Sequence, residues 1–582
     1  MKFNEDSRVK IPAILHCMSL GYEYISLRNK NIEINQATNI FTEVFLSSIK
    51  KINPGLSAND ARQALDEILL ALENEDLGRA FYKKLINRSG IRLIDFDNFD
   101  QNTFQVVTEL TYKNGDDEFR PDITLLINGM PLVFIEVKKP NNRDGIIAEH
   151  KRIQTRFKNK KFRNFANITQ LMIFSNNMEY DDSSPHPVEG AFYASSSYNK
   201  IKFNYFREEL KLNHDNIFFP INENHELSVL KDNNLISIKN SPEFEKNKNS
   251  DTPTNRICTS LLCRERLAFV LEFAFAYVEE EDGLQKHIMR YPQLFASKAI
   301  TKKLDDGVKN GIIWHTQGSG KTALAFYNVR YLSNYFQKKG QVAKFYFIVD
   351  RLDLLKQASG EFRSRGLVVH NINSREAFAD DIKKSAALHN SSGALEITVV
   401  NIQKFQDDPS VMKNNDYNLD VQRVFFLDEV HRSYNPKGSF LANLEQADRA
   451  SIKIGLTGTP LLGKDYNSKS LFGDYIHKYY YNASIKDGYT LRLIREEIQT
   501  NYKLTLQKAL EEINILKGNA DRTFVYSHSK FVEPMLDYII KDLETSRITT
   551  GDFDIGGMVV CDSAQQARKM HEIFQKKICI FK

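Results

Sequence analysis

Apolar positions recur at helical spacing through Thr42–Lys51 and Ala58–Glu73, which predicts two amphipathic helices near the start of the chain. Between Phe104 and Phe174 the pattern changes to short β-rich runs. A third pattern follows: Gly311–Trp314, Phe345–Val349, Ile397–Val400, Val424–Leu427 and Ile452–Leu456 are continuous apolar runs separated by helical stretches. Strands that are apolar on both faces and alternate with helices predict a parallel sheet built from βαβ units. A second strand-helix series is expected from Phe524–Tyr526 and again at Met558–Cys561. Ser241–Asn255 is polar, holds Pro242 and Pro253 and lacks periodicity, so it reads as a linker or long surface loop. The pattern therefore predicts an α/β chain: a first domain over 1–240, a linker over 241–255, a parallel-sheet domain over 256–480, and the start of another over 481–582.

Composition narrows this only a little. With 582 residues the chain is too long for a single core. The net charge of +5 permits local basic grooves but does not by itself imply nucleic acid. Cys17, Cys258, Cys263, Cys561 and Cys579 lack CxxC spacing, which argues against a zinc site or a disulfide framework and for a reducing compartment. No apolar run approaches the roughly 20 residues of a membrane helix, and Met1–Lys10 is too charged for a signal-peptide core, so a cytoplasmic protein without a membrane partner is expected.

Candidate chemistry changes the picture more. Trp314-His-Thr-Gln-Gly-Ser-Gly-Lys-Thr322 follows a predicted strand and opens a predicted helix, Ala323–Leu332. In that setting Thr316, Gln317, Gly318, Ser319 and Gly320 form a phosphate-cradling loop rather than a plain helix cap. Lys321 would reach the β/γ-phosphates and Thr322 would ligand Mg²⁺. His315 stands where the first glycine of such a loop usually lies. Val424-Phe-Phe-Leu-Asp-Glu-Val-His431 buries a strand and releases two carboxylates at its C-terminal end, where ligands bind in a parallel sheet. Asp428 would hold the Mg²⁺, Glu429 would orient or deprotonate water, and His431 would couple the nucleotide to a second ligand. Taken alone an Asp-Glu pair fits a solvated loop equally well. Gly455-Leu-Thr-Gly-Thr-Pro460 offers Thr457 and Thr459 to a loop that senses loss of the γ-phosphate.

A second centre is expected upstream. Asn128-Gly129 between two apolar runs is a hairpin signal. It puts Asp122 on one strand, and Glu136 and Lys138 on the returning strand, all on one face by two-residue alternation. Two carboxylates that share Mg²⁺ and a lysine that positions water suit phosphodiester hydrolysis. In isolation the same pattern is also that of a charged hairpin edge. The following stretch, Lys151–Arg163, is dense in Lys and Arg with Phe157 and Phe162 interleaved. It reads either as a solvated amphipathic helix or as a phosphate-contacting face.

The ordered P-loop, Asp-Glu-Val-His and Leu-Thr-Gly-Thr-Pro segments resemble superfamily 2 helicases and translocases of the DEAH-box type, which have RecA-like domains. That resemblance implies DNA-phosphate contacts for Arg351, Gln403 and Lys404, and an adenine-reading role for Gln293. Asp122, Glu136 and Lys138 resemble the PD-(D/E)xK pattern of restriction-type nucleases. Their order in one chain, with Asp487-Gly488 after the third motor motif, is similar to the R (restriction/motor) subunit of type I restriction-modification enzymes. The resemblance implies ATP-driven translocation of double-stranded DNA, Mg²⁺-dependent cleavage away from the recognition site, and assembly with methyltransferase (M) and specificity (S) subunits. S-adenosylmethionine would enter only through the methyltransferase. Gln154 and Phe157 depart from the family's Gln/Tyr spacing and carry no catalytic expectation. No Gln-x-x-Gly-Arg-x-x-Arg pattern follows Cys561, where Arg568 is the sole arginine, so a truncated R subunit, poor at hydrolysis alone, is expected. The alternatives are a type III-like or standalone nuclease-helicase, or a non-cleaving DNA-dependent ATPase.

Overall fold

The computed structural model describes residues 4–29, 32–140, 142, 145–180, 189–383, 394–401, 421–429, 448, 450–460, 468–490, 500–517, 522–550 and 553–580. The first strands in chain order are β1 (Glu23–Tyr24), β2 (Phe104–Thr108), β3 (Tyr112–Asn114), β4 (Asp117–Phe119), β5 (Ile123–Ile127), β6 (Met130–Val137), β7 (Leu171–Ser175), β8 (Ala191–Ala194) and β9 (Asn204–Tyr205). All but β3 and β4, which pair separately, form a seven-stranded sheet in the order β1-β2-β5-β6-β7-β8-β9. Asn128 and Gly129 take left-handed backbone, φ 50° and 76°, and close the expected β5–β6 hairpin. β6 and β7 run parallel, so the chain between them crosses one face of the sheet with the helix Gly145–Lys158. The two early helices form as expected, over Thr42–Ile52 and Ala58–Leu72.

Next come β10 (Phe275–Glu280) and β11 (Gly283–Ile288), an antiparallel pair. The second large sheet holds β12 (Asn310–His315), β13 (Val342–Val349), β14 (Val368–Ile372), β15 (Glu396–Asn401), β16 (Val421–Asp428), β17 (Ile452–Thr457) and β18 (Tyr475–Tyr479). Its order is β14-β15-β13-β16-β17-β12-β18, and every pairing is parallel. The strands read from continuous apolar runs are all present, because burial on both faces leaves no room for polar alternation.

The chain divides into two compact units, Met1–Leu491 and Arg492–Lys582, and the first takes in the sequence boundaries expected at 240, 255 and 480. Ser241–Asn255 is not a loop. Ser241 accepts from the Phe244 amide and starts the helix Pro242–Asn247, and Phe244 is fully buried. A helix this short has too few turns to show periodicity, and only its Ser cap and N1 proline announce it. The next helix, Pro253–Leu262, belongs to the packing of the first sheet. Thr259 Oγ1 lies 2.7 Å from His16 Nε2, Tyr22 donates to the Leu262 carbonyl at 2.9 Å, and Thr254 pairs with Ser175 at 2.9 Å. Residues 481–490 likewise pack into the first unit, through Asp487.

In the second unit the described residues form the helices Thr500–Lys517, Arg522–Ser527, Ser529–Thr550 and Ala564–Ile580. The expected strand at Phe524–Tyr526 is helical, because a three-residue apolar run does not distinguish the two periods. The expected strand at Met558–Cys561 is absent too: the segment forms no helix or ladder among the described residues, with Met558 and Val560 about nine-tenths exposed. Among the described residues this unit has no strand with which it could pair. Among the described residues no helix is long and apolar enough to cross a membrane.

Candidate functional site

The β5–β6 hairpin sets the first centre. Ile123 pairs with Ile135, so Asp122 and Glu136 leave the ladder side by side. Asp122 Oδ2 accepts from the Val137 amide at 2.8 Å, which fixes its carboxylate across the hairpin. Lys138, just past β6, turns its amine back: Nζ is 3.1 Å from Glu136 Oε1, 3.9 Å from Asp122 Oδ2 and 2.8 Å from the Val137 carbonyl. The three predicted residues are therefore brought together. Burial, and then the Asp122 charge, push the Glu136 carboxyl up to about 8. Burial also raises Asp122. For Lys138, burial works against the ammonium, but Glu136, Glu149 and Asp122 outweigh it and raise the amine above its ordinary value.

Two residues here escaped sequence reasoning. Glu5 accepts from the Lys139 amide at 2.9 Å, and its carboxyl is raised by burial and by Asp122. Glu149, on the helix Gly145–Lys158, lies 3.5 Å from Lys138 Nζ. Glu5 left no local signal. Glu149 did: it falls on the apolar stripe marked by Ile146, Ile153 and Phe157. The basic face of that helix is partly exposed, with Arg152 half exposed and Lys160 and Lys161 beyond it.

Oxygen donors of this kind suit a hard divalent cation. Glu136 Oε2 is buried without a hydrogen-bond partner among the described residues, so the pair has an unmet demand for positive charge. Among the described residues no group of three or more His, Cys, Asp or Glu side chains is arranged to hold a metal.

The second centre lies at the C-terminal ends of β12, β16 and β17. After β12 the chain turns at Gly318 (φ 80°) and Gly320 (φ 84°) into the helix Lys321–Gln337. A side chain at Gly320 would meet Gln293 Nε2 at 2.6 Å. Gln293 is buried: its Oε1 accepts from the Arg290 amide at 3.0 Å and its Nε2 donates to the Gly320 carbonyl at 3.0 Å. It thus braces the loop and caps its own helix. A cavity of about 210 Å³ beside the loop is lined by Gln293, Gly318, Gly320, Tyr327, Lys200 and Lys202, among others. The Ser319 hydroxyl is buried without a partner among the described residues.

Lys321 Nζ lies 3.5 Å from the His315 carbonyl and 4.0 Å from Glu429 Oε1. Asp428 ends β16, and burial followed by the Glu429 charge pushes its carboxyl up to about 6. Glu429 sits in left-handed backbone at φ 47°, which turns it out of the strand. Thr457 ends β17 and accepts from the Thr459 amide at 3.1 Å, while Gly458 passes close to the Gln317 amide. Thr316, Gln317, Lys321, Thr322, Asp428, Glu429, Thr457 and Thr459 thus converge on one rim. Arg351 caps the helix Leu352–Ser364 after β13 and is exposed. Gln403, Lys404 and His431 lie outside the described residues.

His315 replaces glycine because the position is a core contact. It is fully buried, and its Nε2 is 2.7 Å from His477 Nδ1. His477 Nε2 in turn lies 2.5 Å from Glu209 Oε2. Burial holds the His315 ring well below its ordinary value, so it is neutral.

A hairpin bearing two carboxylates and a lysine, joined to a P-loop parallel sheet, is the class that fold and sites define. The comparisons agree. Residues 2–181 match the family described as type I restriction enzyme R protein N terminus, and residues 292–523 match the SWI2/SNF2 ATPase family. Three relatives are named type I restriction enzyme endonuclease subunits. One from Methanocaldococcus jannaschii (MjaIXP) is 25% identical over 99% of this chain and 55% of its own length. One from Staphylococcus aureus (SauMRSORF196P) is 23% identical over 90% and 50%. One from Staphylococcus saprophyticus (SsaAORF53P) is 25% identical over 83% and 46%. The chain spans about half the length of these relatives. The chain is thus similar to type I restriction R subunits, with a segment matching the R-protein N terminus followed by one matching the SWI2/SNF2 ATPase family.

Proposed function

We propose that this chain is the nuclease and motor portion of a type I restriction subunit. It uses ATP to translocate double-stranded DNA and cuts that DNA away from the recognition site in a Mg²⁺-dependent reaction. The observation that carries the reading is the convergence of Asp122, Glu136 and Lys138 in the same compact unit as a P-loop facing Asp428 and Glu429.

In the nuclease, Asp122 and Glu136 would hold the cation, which when bound supplies positive charge to the scissile phosphate and lowers the pKa of water. Lys138 would orient that water or neutralise developing phosphate charge. In the motor, Lys321 would bind the β/γ-phosphates, with Thr316, Gln317, Gly318, Ser319 and Gly320 supplying the loop. Thr322 and Asp428 would hold Mg²⁺, Glu429 would orient water, and Thr457 and Thr459 would respond to the γ-phosphate. Gln293 would sit next to the base, and His431 would couple the nucleotide to DNA. Arg351, Gln403 and Lys404 would contact DNA phosphates, a sequence-independent grip. Methyltransferase and specificity subunits would supply recognition, and S-adenosylmethionine would act through the methyltransferase.

Plasmid cleavage with reconstituted partners tests this. Asp122→Ala is expected to keep ATP hydrolysis and lose cutting; Lys321→Ala is expected to lose both. Undiminished cutting by Asp122→Ala would overturn the nuclease assignment.

A further inference from the structure

The helix Gly145–Lys158 packs Ile146, Ile153 and Phe157 against the sheet, and Glu149 lies on the same stripe with a side chain 1% exposed. A carboxylate so placed is costly unless cations compensate it. Among the described residues neither of its oxygens accepts a hydrogen bond. Three cations surround it instead: Lys138 Nζ at 3.5 Å, Arg152 at 3.0 Å and Arg156 at 3.6 Å. Arg156 is itself fixed, its guanidinium 4.0 Å from the centre of the Phe119 ring.

We propose that Glu149 is a positioning residue that holds the Lys138 amine over Asp122 and Glu136. This rests on the nuclease reading above. Lys138 ends a long rotatable stem, and its other anchors are the carbonyl of the adjacent Val137 at 2.8 Å and the two carboxylates that would also serve a cation. The carboxylates release part of their hold on the amine when they turn to a different positive charge. Glu149 comes from another element, the crossover helix, and keeps an attraction on the amine that does not compete with cation binding. Arg152 and Arg156 share its remaining charge, so the same carboxylate links the basic helix face to the hairpin.

Reductive methylation of lysines in the purified full chain, without DNA or metal, reads the position directly by peptide mass spectrometry. In Glu149→Gln, Lys138 is expected to label severalfold faster than in wild type, and in Glu149→Asp the rate should return toward wild type. Lys344, buried against Asp381 in the second sheet, reports an intact fold. An unchanged Lys138 rate with Lys344 still protected would overturn the proposal. If Lys344 also becomes reactive in Glu149→Gln, the Asp variant decides by the same comparison.

In the reconstituted cleavage assay, Glu149→Gln is expected to lower kcat about 10–100-fold with KM for DNA unchanged. It should add nothing in a Lys138→Ala background, because both act through one amine. An equal additional loss in that background would mean an independent role and sink the proposal. Failure of Asp122→Ala to impair cutting would instead reject the nuclease reading, and the labelling result would still stand or fall separately.

Discussion

Glu136 illustrates how one residue acquires chemistry from its surroundings. At the end of an apolar strand it is 5% exposed, and burial plus Asp122 lift its carboxyl to about 8 from an ordinary 4.5. The folded state thus binds its proton more tightly than the unfolded chain does. That contribution to stability is fully present below about pH 4.5 and is lost as pH rises through about 8. In metal-free buffer the first unit should therefore lose up to about 1.4 kcal/mol per pH unit across that window from this group alone. Thermal unfolding from pH 5 to 8 in chelator checks this. Glu136→Gln should flatten the slope, and a slope unchanged by the substitution would contradict the assignment. Added Mg²⁺ should stabilise wild type more than Glu136→Gln, because it binds the ionised form.

At the scale of elements, the hairpin carries the proposed nuclease centre and its turn sets the register. Gly129 has φ 76°, and a side chain there would meet the Phe41 carbonyl at 2.7 Å and the Phe45 amide at 2.8 Å. Those are backbone atoms and cannot rotate away. Gly129→Ala is expected to destabilise the first unit by about 2–4 kcal/mol through strained backbone and overpacking. A fall in the urea midpoint at unchanged slope would show it; a midpoint equal to wild type would not fit. The hairpin was legible in the sequence because Asn-Gly is a local signal and alternation is a local period. The helix Pro242–Asn247 was not, since a single turn cannot display an amphipathic repeat.

For the whole first unit, the two sheets are tied through residues far apart in the chain. Asp487, its side chain fully buried, accepts from Tyr479 at 2.8 Å and from Tyr291, and pairs with Arg207 at 3.0 Å. Arg207 follows β9 of the first sheet, whereas Tyr479 ends β18 of the second and its carbonyl accepts from the Thr316 amide of the loop after β12. Glu209 reaches His477 from the same segment. Asp487→Ala would leave buried hydroxyls and a guanidinium without their acceptor, and should cost about 2–4 kcal/mol. Differential scanning calorimetry should show a lower unfolding temperature; an unaltered transition would mean the network is not holding the unit together.

The sequence alone determined the α/β class, the strands of the second sheet and the hairpin that brings Asp122 beside Glu136, since each depends on short-range periodicity, turn chemistry or adjacent residues. Tertiary structure alone decided the strand order, the joining of both sheets in one unit and the helical character of 522–527. It also brought Glu5 and Glu149 to Lys138, and Arg207 and Glu209 to the second sheet. Those outcomes depend on which distant surfaces bury one another, and a linear pattern specifies the faces that must be covered without naming what covers them.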